Sequence, residues 1–133
     1  MSKKMTVLVV DDEKHIRLAL DYNLRNEGFK VCQAQDGVEG LEIAKKKKPD
    51  LIILDWMMPR MDGIQTLHAL RRDKDTKDIP VFMFTAKGTL EDVDRGFDVG
   101  ADGYITKPFD VWKIGKYILE KLEKIGRLKA VAH

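Results

Sequence analysis

The 133-residue chain contains one cysteine, Cys32. A lone thiol allows neither an internal disulfide nor a cysteine-built metal site, and it suits a reducing compartment. Long apolar runs are also missing: none approaches the ~20 residues that cross a bilayer as a helix. The opening Met-Ser-Lys-Lys-Met-Thr leads into a short apolar stretch, Val7 to Val10, too brief for the core of a secretory signal. A cytoplasmic protein without membrane contact is expected. An excess of one charge is lacking too. With 24 basic and 22 acidic residues the net charge is +2, which provides no broad field for gripping nucleic acid. No Gly-x-Gly-x-x-Gly follows the first apolar run and no Gly-Lys-Ser/Thr loop occurs, so a nucleotide or flavin binder is disfavoured. Repeats and Pro-rich or Gly/Ser-rich linkers are absent. The length suits one domain, 1–133, with a core over about 5–126 and a frayed tail at 127–133.

What is present is organised around Leu51-Ile-Ile-Leu-Asp-Trp-Met-Met-Pro-Arg-Met-Asp-Gly63. Leu51 to Leu54 read as a strand buried on both faces. The strand ends in a carboxylate, Asp55; then come Pro59 and Asp62-Gly63, which signal a turn before a new helical pattern. Val7 to Val10 run into Asp11-Asp12-Glu13 in the same way. Ile16, Leu20 and Leu24 recur at helical spacing, and Gly28 supplies the stop. Phe29 to Gln33 form a more amphipathic strand suited to a sheet edge. Asp36 is a natural N-cap for a helix carrying Val38, Leu41 and Ala44 inward, and Lys45 to Lys48 suit its negative end.

Ile64, Leu67 and Leu70 mark a third helix, and Ile79 to Phe84 a buried strand running into Thr85. Leu90, Val93 and Phe97 trace a helix that stops near Gly100. Gly103 to Thr106 form a short strand ending in Lys107-Pro108. Val111, Ile114, Ile118, Leu122 and Ile125 repeat as a long amphipathic helix. Strands alternating with helices imply a parallel sheet with right-handed crossovers and helices on both faces. All strand C-termini then lie on one edge, where open α/β sheets bind ligands. Asp11, Asp12, Asp55, Thr85 and Lys107 are expected to converge there, although they span almost the whole chain.

The charges define a chemistry. Crowded carboxylates repel and raise one another's pKa unless a cation is present. An all-oxygen donor set favours a hard divalent ion, Mg²⁺ above all. Such an ion recruits phosphate oxygens, Lys107 adds positive charge, and the Thr85 hydroxyl can hydrogen-bond to the group. Asp55 is the candidate nucleophile, forming an acyl phosphate by in-line transfer.

Several separated motifs now stand in one order: Val9-Val10-Asp11-Asp12-Glu13, Asp55-Trp56-Met57-Met58-Pro59 with Met61-Asp62-Gly63, Pro80 to Ala86, Gly100-Ala101-Asp102, and Tyr104-Ile105-Thr106-Lys107-Pro108-Phe109. On these, from about residue 5 to 126, the chain resembles the chemotaxis-type receiver domains of two-component response regulators. The resemblance implies a flavodoxin-like, doubly wound (βα)5 sandwich with strand order 2-1-3-4-5. It implies a Mg²⁺-dependent phosphorelay module in which Asp55 accepts phosphate from a sensor histidine kinase or phosphotransfer protein. By the same resemblance, Asp12 and Asp55 bind Mg²⁺ with the Met57 backbone carbonyl, Asp11 acts largely through water, and Lys107, joined to Pro108 by a cis bond, contacts the phosphate. Thr85 and Tyr104 form a switch pair, and the helix around 90–97, the strand at 103–106 and the C-terminal helix form the output surface.

Met57 and Lys87 lie two residues after Asp55 and Thr85, on the path that hydrolytic water takes in receivers. Methionine orients water poorly, so a phosphoryl lifetime of minutes or longer is expected. The chain departs from the winged-helix class at its dimer contacts: Gly103 and Lys113 stand where acids are common, Tyr117 where arginine is, and Val93 where a base is. DNA-binding-type dimerisation is therefore doubtful, and a monomer or a phosphorylation-dependent dimer is expected. The expectation is a stand-alone receiver acting on a protein target without direct nucleic-acid contact; the alternative is a module of a longer DNA-binding or enzymatic regulator. It is not expected to be an enzyme beyond its own phosphorylation and slow dephosphorylation. A metal-dependent phosphohydrolase commonly carries a second acid two residues after its nucleophile, where this chain has Met57.

Overall fold

The computed structural model describes residues 4–56, 58, 61–85, 100–106 and 113–126. Along the chain these form β1 (Thr6–Val10), α1 (Lys14–Asn26), β2 (Lys30–Ala34), α2 (Gly37–Lys47), β3 (Leu51–Asp55), α3 (Gly63–Arg72), β4 (Val81–Thr85), β5 (Gly103–Thr106) and α4 (Ile114–Lys124). All strand pairings are parallel and the sheet order is β2-β1-β3-β4-β5, the flavodoxin-like order that the motifs implied. The helix expected around 90–97 and the tail at 127–133 lie outside the described residues.

Alternation along the strands sorts the apolar side chains into two cores, because successive residues of a strand face opposite sides of a sheet. Val7, Val9 and Ile53 pack with Leu20 and Leu24 of α1 and Ile118 and Leu122 of α4. Leu8, Val10, Ile52 and Leu54 pack with Ala44 of α2 and Leu67 and Leu70 of α3, and Leu41 lies against them, whereas Val38, expected inward, is exposed in the first turn of α2. β1 and β3 are thus buried on both faces, which is why they read as unbroken apolar runs. Edge strand β2 is mixed, with Lys30 exposed and Val31 and Ala34 buried.

The helix ends follow local chemistry. Asp36 accepts the Glu39 N–H at 2.9 Å, as an N-cap carboxylate should. Asp62, a turn signal in the sequence, proves to be the N-cap of α3: its carboxylate accepts the Gln65 N–H at 2.8 Å, and Gln65 Oε1 accepts the Asp62 N–H at 3.0 Å. This reciprocal pair is a capping box. β4 begins at Val81 rather than Ile79, because Pro80 has no N–H for the ladder. β2 runs one residue later than its pattern suggested, over Lys30–Ala34.

Arg71, at the end of α3, draws three segments together. Its guanidinium donates to the carbonyls of Gly100 (2.8 Å) and Ile79 (2.7 Å) and to Asp102 Oδ2 at 2.9 Å. Asp102 Oδ2 also accepts the Val81 N–H at 2.9 Å. The entries to β4 and β5 are thereby tied to α3.

Candidate functional site

The site lies at the C-terminal edge of the sheet, where β1 and β3 end side by side. Val10 pairs with Leu54, so the next residues of the two strands emerge together. A carboxylate oxygen from each of Asp11, Asp12 and Asp55 can lie within 4.8 Å of the others. Asp11 is 1% exposed and Asp55 3%, while Asp12 is open to solvent. Removing carboxylates from water costs several kcal/mol per ion unless positive charge compensates. A hard cation held by oxygens alone meets that demand, and the donor set fits Mg²⁺.

The backbone around Asp55 is firmly set. Asp55 pairs with Phe84 of β4, the Trp56 N–H donates to the Phe84 carbonyl at 3.2 Å, and the Gly63 N–H donates to the Trp56 carbonyl at 2.9 Å. Gly63 must be glycine here: an added Cβ would lie 2.5 Å from the Asp55 carbonyl oxygen. The N-terminus of α3 is therefore seated directly on β3, where that strand ends in Asp55.

Thr85 ends β4 and pairs with Thr106 at the end of β5, so its backbone lies at the expected edge. Tyr104 sits in β5, half-buried, with its ring centroid 6.2 Å from that of Trp56 and the planes tilted by 40°. Trp56 is buried among the residues that pack between the sheet and α2 and α3. The Tyr104 carbonyl accepts the Tyr117 hydroxyl of α4 at 2.7 Å. Burial raises the Tyr117 hydroxyl above its ordinary range, which keeps it a neutral donor.

The structure thus brings Asp11, Asp12 and Asp55 together and puts Thr85 on the same edge. Met57, Lys87, Lys107 and the Lys107-Pro108 bond lie outside the described residues. Sequence reading passed over Arg17, which donates to the Asp11 carbonyl; its position one helical turn after Glu13 was the only signal. A cleft lined in part by Met5, Asp50 and Pro80 lies at the opposite edge, where the strands begin, away from the carboxylates.

Fold and site together define a doubly wound α/β domain with a cation-competent carboxylate cluster beyond its central strands. Residues 7–119 match the response regulator receiver domain, and the chain belongs to that family. The DNA-binding dual master transcriptional regulator RpaA of Synechocystis is 43% identical over 126 residues, covering 95% of this chain and 52% of the relative. The alkaline phosphatase synthesis transcriptional regulatory protein PhoP of Bacillus subtilis is 44% identical over 126 residues, with 92% and 51% covered. The chain spans about half the length of the curated relatives it matches. Among solved structures, the chemotaxis response regulator CheY4 of Vibrio cholerae superposes with a TM-score of 0.86 at 35% identity, covering 90% of this chain and 100% of that one. No helix among the described residues is long and apolar enough to cross a membrane.

Proposed function

We propose that this receiver takes a phosphoryl group onto Asp55 from a phosphohistidine of a sensor kinase or phosphotransfer protein, and that the new charge switches a surface read by a protein partner. The observation that carries this reading is the meeting of Asp11, Asp12 and Asp55 at two adjacent strand ends, with Asp55 buried at the end of β3. A carboxylate oxygen of Asp55 attacks phosphorus, the P–N bond to the donor imidazole breaks, and the leaving imidazole keeps the electron pair and takes up a proton. Asp12, Asp55 and, by the family resemblance, the Met57 carbonyl would hold Mg²⁺, with Asp11 acting through water; the ion, when bound, would supply charge neutralisation.

Lys107 as phosphate contact, the Thr85 hydroxyl as switch, and Met57 and Lys87 as residues slowing hydrolysis enter on the family resemblance. Inward rotation of Tyr104 is a population shift biased by the phosphoryl charge; it starts from a half-buried ring. The protein acts in the cytoplasm and catalyses only its own phosphorylation and slow dephosphorylation. A second reading, the receiver half of a DNA-binding regulator, is favoured by the curated relatives, of whose length the chain covers about half.

Intact mass after incubation with acetyl phosphate and Mg²⁺ tests the central step. A gain of about 80 Da, one phosphoryl group on an aspartyl nucleophile, is expected for the wild type and not for Asp55→Ala. No gain in the wild type overturns the reading.

A further inference from the structure

The Asp11–Asp12 peptide is held by a side chain that the phosphotransfer reading leaves unused. Arg17 Nη1 donates to the Asp11 carbonyl oxygen at 2.7 Å, and Arg17 Nε donates to Gln33 Oε1 of β2 at 3.3 Å. Asp11 is gripped at two further points: its N–H donates to the Ala34 carbonyl at 3.1 Å, and its Oδ1 accepts the Glu13 N–H at 2.9 Å. Gln33 is itself braced, donating through Nε2 to Asp21 Oδ2 at 2.7 Å. Asp21 pairs with Arg25, whose Nη2 donates to the Val31 carbonyl at 3.0 Å. A continuous line of hydrogen bonds therefore runs from the edge strand, through α1, to one peptide oxygen of the carboxylate cluster.

That oxygen is well placed to matter. Because a peptide unit is planar, holding the Asp11 carbonyl restrains the plane that joins Asp11 to Asp12, and with it the two Cα atoms from which the side chains leave. Mg²⁺ demands near-ideal octahedral geometry, so a small misplacement of either carboxylate is penalised. The guanidinium fork holds the carbonyl and the Gln33 amide oxygen in one fixed geometry; a lysine ammonium is a point donor without it.

We infer that Arg17 is a positioning residue for the cation site, locking the Asp11–Asp12 peptide so that Asp12 meets a Mg²⁺ ion directly and Asp11 meets it through water. The inference rests on the Mg²⁺ reading of the cluster. The arginine's charge, taken alone, opposes a nearby cation, so the informative variants keep the charge and lose the geometry. Arg17→Lys removes the fork; Gln33→Met removes its brace and leaves Arg17 in place.

Calorimetric titration with Mg²⁺ alone, on the full chain, reads the effect. Both variants bind Mg²⁺ about 10-fold more weakly, the loss typical when the support of a metal-ligating group is removed, while metal-free circular dichroism matches the wild type. Equal or tighter binding by folded Arg17→Lys overturns the inference, since a purely structural arginine leaves the affinity of the folded protein unchanged. If Arg17→Lys does not fold, Gln33→Met is judged by the same criterion. A wild type that takes up no Mg²⁺ is a different failure: the cation-site reading falls, and this inference with it.

Discussion

Tyr117 occupies a position where winged-helix-type receivers commonly carry an arginine of their dimer contact, and here it is turned to internal use. Its hydroxyl donates to the Tyr104 carbonyl at 2.7 Å, its ring meets Phe82 edge-on at 6.1 Å, and the Lys121 ammonium lies 5.8 Å from the ring centroid. The residue expected to rotate in the switch therefore has its backbone bonded to the C-terminal helix. Since burial raises the Tyr117 pKa on folding, the folded state holds the phenolic proton longer than the unfolded chain. Its contribution to stability is complete below the unfolded value of about 10 and is lost as pH rises through the folded value. Tyr117→Phe should cost about 1 kcal/mol at neutral pH, the net worth of one hydrogen bond. The gap between wild type and variant should narrow above about pH 10. Urea unfolding at neutral and alkaline pH checks this; a gap independent of pH counts against it. The tyrosine and its departure from the dimer pattern are visible in the sequence. Its partner is not, because the contact spans two elements.

Among the elements, α2 shows how a helix end can be readable in outline and hidden in detail. The lysines from 45 to 48 mark its negative end, and the helix stops at Lys47. What the composition does not reveal is that Lys48 adopts φ +46°, with its N–H bonded to the Ala44 carbonyl. This is the left-handed cap usually filled by glycine, in which a side chain crowds its own backbone. Lys48→Gly should therefore stabilise the protein by about 1 kcal/mol, relief of the left-handed penalty exceeding the glycine's entropy loss. Thermal or urea unfolding decides; a less stable variant would show that the lysine side chain contributes more than its backbone strain. The cap of α3 teaches the converse. The Asp62-x-x-Gln65 spacing is that of a capping box, while the Asp62-Gly63 pair taken alone has the chemistry of a turn. Gly63 turns out to be the close contact between α3 and the Asp55 carbonyl.

At the scale of the whole molecule, two apolar layers share one sheet. Because β1 and β3 contribute alternate residues to both, neither layer can lose its packing without loosening the strands that support the other. Leu20→Ala removes a fully buried side chain from the α1/α4 layer, and Leu54→Ala one from the α2/α3 layer. Each should cost about 2–5 kcal/mol through lost burial and a residual cavity. Each should also shift one common transition rather than split it, as expected of a two-state domain. Far-ultraviolet circular dichroism and tryptophan fluorescence followed through the same melt test this, and separated midpoints would show that the layers unfold independently.

The sequence by itself determined the alternation of strands and helices, the two apolar runs that stop at Asp11 and Asp55, and the oxygen-only character of the donor set. These follow from local periodicity and residue chemistry, which need no knowledge of distant partners. Strand order came from motif resemblance, since hydrophobic period carries no information about which strands become neighbours. Only the tertiary structure decided that Asp11, Asp12 and Asp55 approach within 4.8 Å, that Tyr117 bonds to Tyr104, that Arg71 ties three segments together, and that Arg17 holds the Asp11 carbonyl. Each of these depends on side chains meeting across separate elements, where geometry is set by how helices seat on a twisted sheet and not by neighbours along the chain.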